Sequence, residues 1–245
     1  TGYNNAYEVN SQAITKEKLE SVGLRRLLKN GDIRRYHINP NRDFVIYLQN
    51  VSNIDQLPNI KKHLLSYKKE LGERKNYDGP WYKYTTPRNV DIFEANQDKI
   101  VVPFMATENR FAIDKDKSVP TSGDVHAILI KPEYAKNIKI ILAILNSNLM
   151  MVYHKNTTQL KRADYIEFNK IQLEKLPIKI PKYQQPFIKV VDEILSITKD
   201  KDYQENKEKQ KKVKELQDKI NQFVYKLYEL TPEEIKIVGE FGKEK

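Results

Sequence analysis

The C-terminal part of the chain carries the clearest alternation of apolar and polar positions. Apolar side chains recur there at steps of three and four residues, which places them on one stripe of a helix: Val213, Leu216, Ile220, Phe223, Leu227 and Leu230. A shorter stripe of the same kind follows Pro186: Phe187, Val191, Ile194 and Thr198. The polar stretch 199–208 separates the two stripes, so the pattern predicts an antiparallel helical hairpin.

A third, shorter helix is predicted after the hairpin. Thr231 supplies an N-cap, Pro232 is compatible with a first helical turn, and Glu234 is placed to complete a capping box. We expect this helix to run through Val238. The helical hairpin is either a pair of packing helices or an arm that docks onto another subunit or domain, and the sequence favours neither.

Residues 1–184 show a different pattern. Short apolar runs bounded by Pro, Gly, Asn and Asp are typical of strands and turns, and they occupy residues 44–48, 100–105, 127–130 and 178–180. Apolar residues at helical spacing interrupt them at 60–71 and 134–153. The order is mixed, without regular alternation of strand and helix. The sequence therefore predicts an α+β fold with a mixed sheet in residues 1–184, followed by the helical hairpin in residues 185–245.

The positive charge of the chain is unevenly distributed. Lys and Arg number 43 against 33 Asp and Glu, a net charge of +10, but residues from Lys199 onward carry 12 Lys and 11 acids. All nine arginines lie between Arg25 and Arg162. Arginine suits bidentate contacts with phosphate and guanine, so a basic, arginine-bearing body indicates a nucleic-acid partner. An AT-rich genome produces a similar composition, so charge alone does not decide the matter.

Composition also excludes several classes of protein. The chain has no cysteine, which excludes a disulfide framework, a thiolate metal site and a cysteine nucleophile, and which suits the cytoplasm, the location we expect. The longest apolar run, residues 140–145, is far shorter than the roughly 20 residues of a membrane helix, so we expect no membrane partner. The chain begins at Thr1 and not at Met, and we expect it to be part of a longer polypeptide.

Familiar catalytic signatures do not occur in the sequence. Glycine occurs eight times but never in a phosphate-binding pattern, and the four histidines are scattered. The string nearest to a metal nuclease is Glu205, Asn206 and Lys207, which falls in the polar turn of the helical hairpin. We therefore predict no catalytic residue and no metal site in this chain.

Basic and aromatic residues instead recur together in the predicted loops, as binding would require. The clusters are residues 34–37, Arg42, residues 81–84 with Arg88, residues 109–111 and residues 155–162. Cationic side chains neutralise phosphates, while Asn, Gln, Arg and His can read base edges. Trp81 is the exception, since Gly79 and Pro80 before it favour a place in the core.

Several strings of the sequence resemble one known family. The resemblance rests on residues 1–7, 28–36, Leu71, Arg74, Trp81, Tyr82, Phe93, Glu94, 99–103, 145–149, 176–178, Gln185 and 223–235. In this order they resemble the TaqI-like C-terminal specificity domain, which follows the catalytic domain in adenine-specific DNA methyltransferases and in type IIG restriction-modification enzymes.

The resemblance implies a DNA target-recognition domain in residues 1–184, with chemistry carried out elsewhere. In that family an upstream domain with an Asn-Pro-Pro-Tyr motif binds the methyl donor and transfers its methyl group to the target adenine, whereas the nearest string here is Asn39, Pro40 and Asn41. The implied partners are double-stranded DNA and an upstream methyltransferase domain of the same polypeptide, with a nuclease domain if the parent also cleaves. The implied cofactors, S-adenosylmethionine and Mg²⁺ for cleavage, belong to the parent enzyme.

Two other functions stay open from the sequence. A half-length type I specificity subunit would use the helical hairpin to dimerise or to hold methyltransferase subunits. A small metal-dependent nuclease is the enzyme alternative.

Within the basic body, residue type and context separate two predicted roles. We expect phosphate contacts from residues that sit in clusters beside polar neighbours: Lys29, Arg34, Arg35, Lys155 and Lys161. We expect base contacts among residues that stand singly beside turns or strand ends: Arg42, Arg88, Asn109, Arg110, His126 and Arg162. For Arg110 the structural alternative is an ion pair with Glu108 or Asp114.

Overall fold

Short strands and longer helices make up the described part of the chain. The computed structural model describes residues 3–39, 43–120, 123–158 and 165–241. The strands are β1 Glu8–Asn10, β2 Leu24–Arg26, β3 Ile33–Arg34, β4 His37–Ile38, β5 Asp43–Ile46, β6 Lys99–Pro103, β7 Met105–Ala106, β8 Ala112–Asp114, β9 Val125–Leu129 and β10 Ile166–Glu167. The helices are α1 Asn4–Tyr7, α2 Ser11–Glu17, α3 Pro58–Leu65, α4 Lys68–Gly72, α5 Val90–Glu94, α6 Ile138–Leu145, α7 Asn148–Thr157, α8 Lys170–Glu174, α9 Gln185–Thr198, α10 Lys207–Leu227 and α11 Pro232–Phe241. The α+β class predicted from the sequence is confirmed.

The chain forms two compact units, and each is built from separate stretches of sequence. The first unit comprises residues 1–29, 40–98 and 115–123, and the second comprises residues 30–39, 99–114 and 124–245. The boundary predicted between residues 184 and 185 does not separate these units, because the C-terminal helices share a hydrophobic core with the second unit.

The first unit is organised around a three-stranded antiparallel sheet with β5 in the centre, between β1 and β2. Ile46 of β5 is buried, as are Ile60 and Leu64 of α3. Gly23, just before β2, is a glycine because a Cβ there would lie 2.5 Å from the Ile60 side chain. The close approach allowed by this residue lets α3 pack near the start of β2.

Arg74 helps to hold the loop that follows α4 in the first unit. Arg74 donates hydrogen bonds to the carbonyls of Leu71 (2.7 Å), Trp81 (2.6 Å) and Lys83 (2.8 Å). Trp81 itself is only partly buried, so the core position predicted for it is wrong. Its neighbours Tyr82 and Tyr84 fill the core instead, and the hydroxyl of Tyr84 donates to the Ile46 carbonyl (2.6 Å).

The second unit packs helices against the antiparallel sheet β8-β6-β9. The side chains of Ile140 to Leu145 in α6 are all buried, which explains the longest apolar run of the sequence. Within the described ranges no single helix is long and apolar enough to cross a bilayer. The segments Pro132–Leu145 and Asn148–Thr157 meet that test of length and composition only as a pair, and they are bent by 74°.

Two of the predicted helices are interrupted. The helix expected at 60–71 divides into α3 and α4, and the helix expected at 134–153 divides into α6 and α7. At the second break Ser147 caps α7, because its hydroxyl accepts from the Met150 amide (3.2 Å). Asn146 turns inward and is fully buried.

The helical hairpin predicted from the C-terminal stripes is confirmed as α9 and α10. Along α10 the buried aliphatic residues are Val213, Leu216, Ile220 and Val224, while Phe223 and Leu227 are only partly buried. Leu230 follows the end of α10 and is not part of the stripe. The capping box of α11 is also present, with the Thr231 amide donating to Glu234 Oε2 (2.8 Å).

The strand predicted at residues 178–180 is wrong. This segment pairs with no strand in the described part of the chain, and a tyrosine takes the place of a partner strand. The Lys179 amide donates to the Tyr228 hydroxyl (3.0 Å), which in turn donates to the Pro177 carbonyl. An apolar run can thus stay extended without joining a sheet.

A buried ion pair between β6 and β8 generates the first prediction. Lys99 Nζ lies 2.8 Å from Asp114 Oδ2, and both side chains are buried. Removing one partner leaves a buried charge uncompensated, so Lys99→Met should lower the free energy of unfolding by about 3–5 kcal/mol in urea titrations. The double variant Lys99→Met/Asp114→Leu should recover most of that loss. A single variant that costs less than ~1 kcal/mol would contradict the prediction.

Candidate nucleic-acid interface

A tight hairpin in the second unit presents two of the predicted site residues. Strands β3 and β4 pair with Ile33 opposite Ile38 and Arg34 opposite His37, so Arg35 and Tyr36 form the turn between them. Tyr36 has a φ of 67°, in the left-handed region that side chains other than glycine rarely adopt. Its side chain is buried, whereas Arg34 and Arg35 are partly exposed. The turn thus fixes one aromatic inward and leaves two guanidinium groups at the surface.

Arg34 and Arg110 converge on the same backbone carbonyl. Arg34 Nη1 donates to the carbonyls of Gly31 (2.7 Å) and Ile33 (3.0 Å). Arg110 Nη1 donates to the Ile33 carbonyl (3.4 Å), and its Nη2 donates to Asn30 Oδ1 (3.1 Å). Two residues that are 76 positions apart in sequence are therefore neighbours, and with Arg35 we call them the arginine cluster.

The charges of Arg34 and Arg110 repel each other. Burial lowers the pKa of Arg110, the charge of Arg34 lowers it further, and Glu108 acts in the opposite direction. Arginine remains protonated at neutral pH despite such shifts. Among the residues that the structure describes, neither Arg34 nor Arg110 forms an ion pair with a carboxylate. An anion placed between them would relieve the repulsion, which favours binding of phosphate or of another acceptor with more than one oxygen.

Arg35 is the structural member of the cluster. Its Nε donates to the Asn109 carbonyl (3.0 Å), and its Nη2 lies 3.3 Å from Glu108 Oε2. The ion pair considered for Arg110 is absent, since Glu108 pairs with Arg35 and Asp114 pairs with Lys99. Arg35 therefore ties the β3–β4 hairpin to the loop that carries Arg110.

Two other predicted base-reading residues of the second unit are less accessible. Asn109 is 1% exposed, and its side-chain amide donates to the Leu145 carbonyl (2.7 Å), so its side chain supports the core. This burial argues against a base contact by Asn109. His126 lies on β9, half-buried beside Phe104, and burial lowers its pKa while Glu167 raises it by less. The neutral imidazole can offer a hydrogen bond but little charge at pH 7.

The remaining predicted residues lie in the first unit, on α7 or outside the described residues. Lys29 and Arg88 belong to the first unit, where Lys29 is ion-paired with Asp43 at 2.8 Å and Arg88 is exposed. Lys155 lies in the last turn of α7, partly buried. Arg42, Lys161 and Arg162 fall outside the described residues, so their predicted contacts stay predictions.

Sequence reasoning overlooked two features of these surfaces. Asn30, which holds Arg110, also donates to the Met105 carbonyl (3.2 Å) and so fixes the base of the cluster. On the first unit, Arg25, Arg26 and Lys117 line an open cavity of about 330 Å³, although Arg26 is ion-paired with Asp116 at 3.0 Å. The two adjacent arginines at 25 and 26 could have indicated this basic surface from the sequence. Because they lie in a strand and not in a loop, they were not selected.

The described residues bring positive charge and hydrogen-bond donors together at the arginine cluster. No group of three or more His, Asp or Glu placed to hold a metal ion occurs in residues 3–39, 43–120, 123–158 and 165–241. The arginine cluster, with its excess of hydrogen-bond donors, instead matches planar or tetrahedral anionic acceptors. The site thus combines positive charge with several hydrogen-bond donors in a small region of the second unit.

Comparison of the chain with known proteins identifies a family. A model of the family described as the TaqI-like C-terminal specificity domain matches residues 25–178, more than half of the chain. The chain therefore belongs to this family, and it is a specificity domain of the restriction-modification type.

Two known proteins are similar to the chain. The type II methyltransferase M.HindII of Haemophilus influenzae (strain ATCC 51907 / DSM 11121 / KW20 / Rd) is 28% identical over 163 residues, covering 63% of this chain and 31% of that protein. The structure of the type IIL restriction-modification enzyme MmeI in complex with DNA matches with a TM-score of 0.65 at 12% identity, over 96% of this chain and 33% of MmeI. The second likeness is one of fold. The chain thus spans about a third of the length of the two proteins.

The geometry of Arg110 yields a prediction about specificity. If its guanidinium reaches a base edge, Arg110→Ala should relax the preference at one base pair by about 1–3 kcal/mol. Selection of bound duplexes from a randomised pool, followed by sequencing, measures this preference for the wild type and the variant. Lys182→Ala, which changes an exposed cation elsewhere in the second unit, is the control. Unchanged preference together with a lower melting temperature would instead assign Arg110 to holding the 30–33 turn.

Proposed function

We propose that this chain recognises a specific sequence in double-stranded DNA and thereby directs adenine-N6 methylation by other domains of the same polypeptide. The observation that carries the proposal is the pair Arg34 and Arg110 within the arginine cluster: two mutually repelling guanidinium groups, neither paired with a carboxylate among the described residues, in a member of a specificity-domain family.

The similar proteins support this reading. M.HindII is named a methyltransferase, and the MmeI structure is described as a complex with DNA. Because the chain covers only about a third of each, the methyltransferase function would belong to a part that this chain does not match. That part would bind S-adenosylmethionine, and Mg²⁺ if the parent also cleaves DNA as type IIG enzymes do. We place the whole enzyme in the cytoplasm.

The predicted DNA-contacting residues would divide between phosphate contacts and base contacts. Arg34 is anchored to backbone carbonyls close to the Arg35–Tyr36 turn, which suits a phosphate contact that sets the register of the duplex. Arg110 is held by Asn30 and the Ile33 carbonyl, which fixes its direction as a base contact would require. Lys29 and Lys155 would add phosphate contacts, and Arg88 and His126 would add base contacts.

DNA binding and its salt dependence test the proposal. The 245-residue chain should bind a pool of random-sequence duplexes, with an affinity that falls steeply between about 50 and 200 mM salt, because each neutralised phosphate adds about 0.9 to the log-log slope. Arg34→Ala should weaken binding to all sequences alike and reduce the slope by about 1. Fluorescence anisotropy of labelled duplexes measures both quantities, with Lys182→Ala as the control.

Two outcomes would count against the proposal. Binding that is insensitive to salt would show that the basic surface does not contact phosphates. A slope that falls equally in Arg34→Ala and Lys182→Ala would show that only net charge matters, and not the arginine cluster.

A further inference from the structure

The helical hairpin formed by α9 and α10 reaches the arginine-bearing hairpin through a buried hydrogen bond. The Tyr36 hydroxyl donates to Gln217 Oε1 of α10 at 2.6 Å, and both residues are less than one-tenth exposed. The orientation of the Gln217 amide is fixed in turn, because its Nε2 donates to Asn221 Oδ1 (3.4 Å). Asn221 Oδ1 also accepts from the Asn148 amide at the start of α7 (3.0 Å). The acceptor offered to Tyr36 is therefore held by α10 itself.

A second polar contact joins the same two parts. Gln204, in the turn between α9 and α10, donates through Nε2 to Asn39 Oδ1 (2.8 Å), and the same nitrogen lies 2.7 Å from His37 Nε2, which accepts from it when the His37 proton is on Nδ1. The Nδ1–H tautomer of His37 then donates to the Arg35 carbonyl (3.1 Å). The Tyr203 ring stands edge-on to the His37 ring at 5.1 Å. Both ends of the β3–β4 hairpin are thus connected to the helical hairpin.

The backbone conformation of Tyr36 indicates what these contacts stabilise. A tyrosine in the left-handed region is strained, and such strain persists only where the surroundings hold it in place. Here the Tyr36 amide donates to the Phe111 carbonyl (2.9 Å), and the hydroxyl is held by Gln217. Without the hydrogen bond from the Tyr36 hydroxyl to Gln217, the turn could relax toward unstrained backbone angles. That relaxation would move Arg34 and Arg35.

We infer that the helical hairpin is a clamp that sets the conformation of the arginine cluster, with Tyr36 and Gln217 as its positioning residues. The inference rests on the proposed function, since it assigns to the helices a share in sequence discrimination. It also makes specificity depend on Gln217, whose side chain is buried and acts through Tyr36.

Paired variants test the clamp. Tyr36→Phe keeps the ring and removes the donor, and Gln217→Leu removes the acceptor. The control is Gln222→Leu, which changes an exposed glutamine on the same helix. The ratio of affinities for the duplex selected by the wild type and for a scrambled duplex should fall roughly fivefold in Tyr36→Phe, because a fraction of the molecules no longer holds the binding-competent turn. Gln217→Leu should cause a fall at least as large.

The double variant separates the hydrogen bond from unrelated effects. If both residues act through their mutual contact, Tyr36→Phe/Gln217→Leu should lose no more discrimination than Gln217→Leu alone. Two losses that simply multiply would overturn the clamp. So would a variant with a lowered melting temperature but an unchanged preference at every base pair, since that is the result of a merely structural role.

Hydrogen exchange tests the clamp without DNA. The amides of Tyr36 and Asn39, which donate to the carbonyls of Phe111 (2.9 Å) and Asp32 (2.7 Å), should exchange at least threefold faster in Gln217→Leu than in the control. The amide of Val101 in the central strand should be unaffected. If the wild type proves to bind no duplex selectively, the proposed function fails, and exchange still decides whether the helices hold the turn. Equal exchange of Tyr36 and Asn39 in Gln217→Leu and Gln222→Leu would overturn the clamp.

Discussion

The second unit depends on the way in which buried Asn146 completes the backbone hydrogen bonds of Phe111. Its Oδ1 accepts from the Phe111 amide (3.0 Å), and its Nδ2 donates to the Phe111 carbonyl (2.9 Å). The same carbonyl accepts from the Tyr36 amide (2.9 Å). One side chain at the break between α6 and α7 thus holds the loop of Arg110 and the turn of Arg35. A buried amide with these bonds satisfied is rigid, whereas one left unpaired would be costly.

This rigidity matters because the arginine cluster is electrostatically unfavourable by itself. Two guanidinium groups beside one carbonyl would separate if their backbones could move, since burial and the charge of Arg34 both disfavour the charged form of Arg110. The core beneath them prevents that movement. Binding an anion then costs little further ordering of the site, which is the advantage of a site formed before its ligand arrives.

Local patterns in the sequence predicted the helical hairpin and the Thr231–Glu234 capping box, because the spacing of apolar and capping residues is a local property. The inward turn of Asn146 was not predictable in this way, since it depends on the distant residue Phe111. The assembly of each unit from separate stretches of sequence was not predictable from local patterns either. The site divides similarly. The importance of Arg34 and Arg110 could be anticipated from residue type, but their convergence on the Ile33 carbonyl could not. Residue type alone was misleading for Asn109. As an asparagine it was predicted to contact a base, but its side chain donates to the Leu145 carbonyl and supports the core.

The central claim is that the arginine cluster is the surface that meets DNA. The side-chain Nε–H resonances of arginine report this directly, and with nine arginines in the chain they can be assigned individually by substitution. On titration with a short duplex in nuclear magnetic resonance, the account predicts that the signals of Arg34 and Arg110 shift or broaden first, at a ratio of one duplex to one chain. Unperturbed signals from Arg34 and Arg110, with shifts confined to arginines of the first unit such as Arg25 and Arg26, would contradict it.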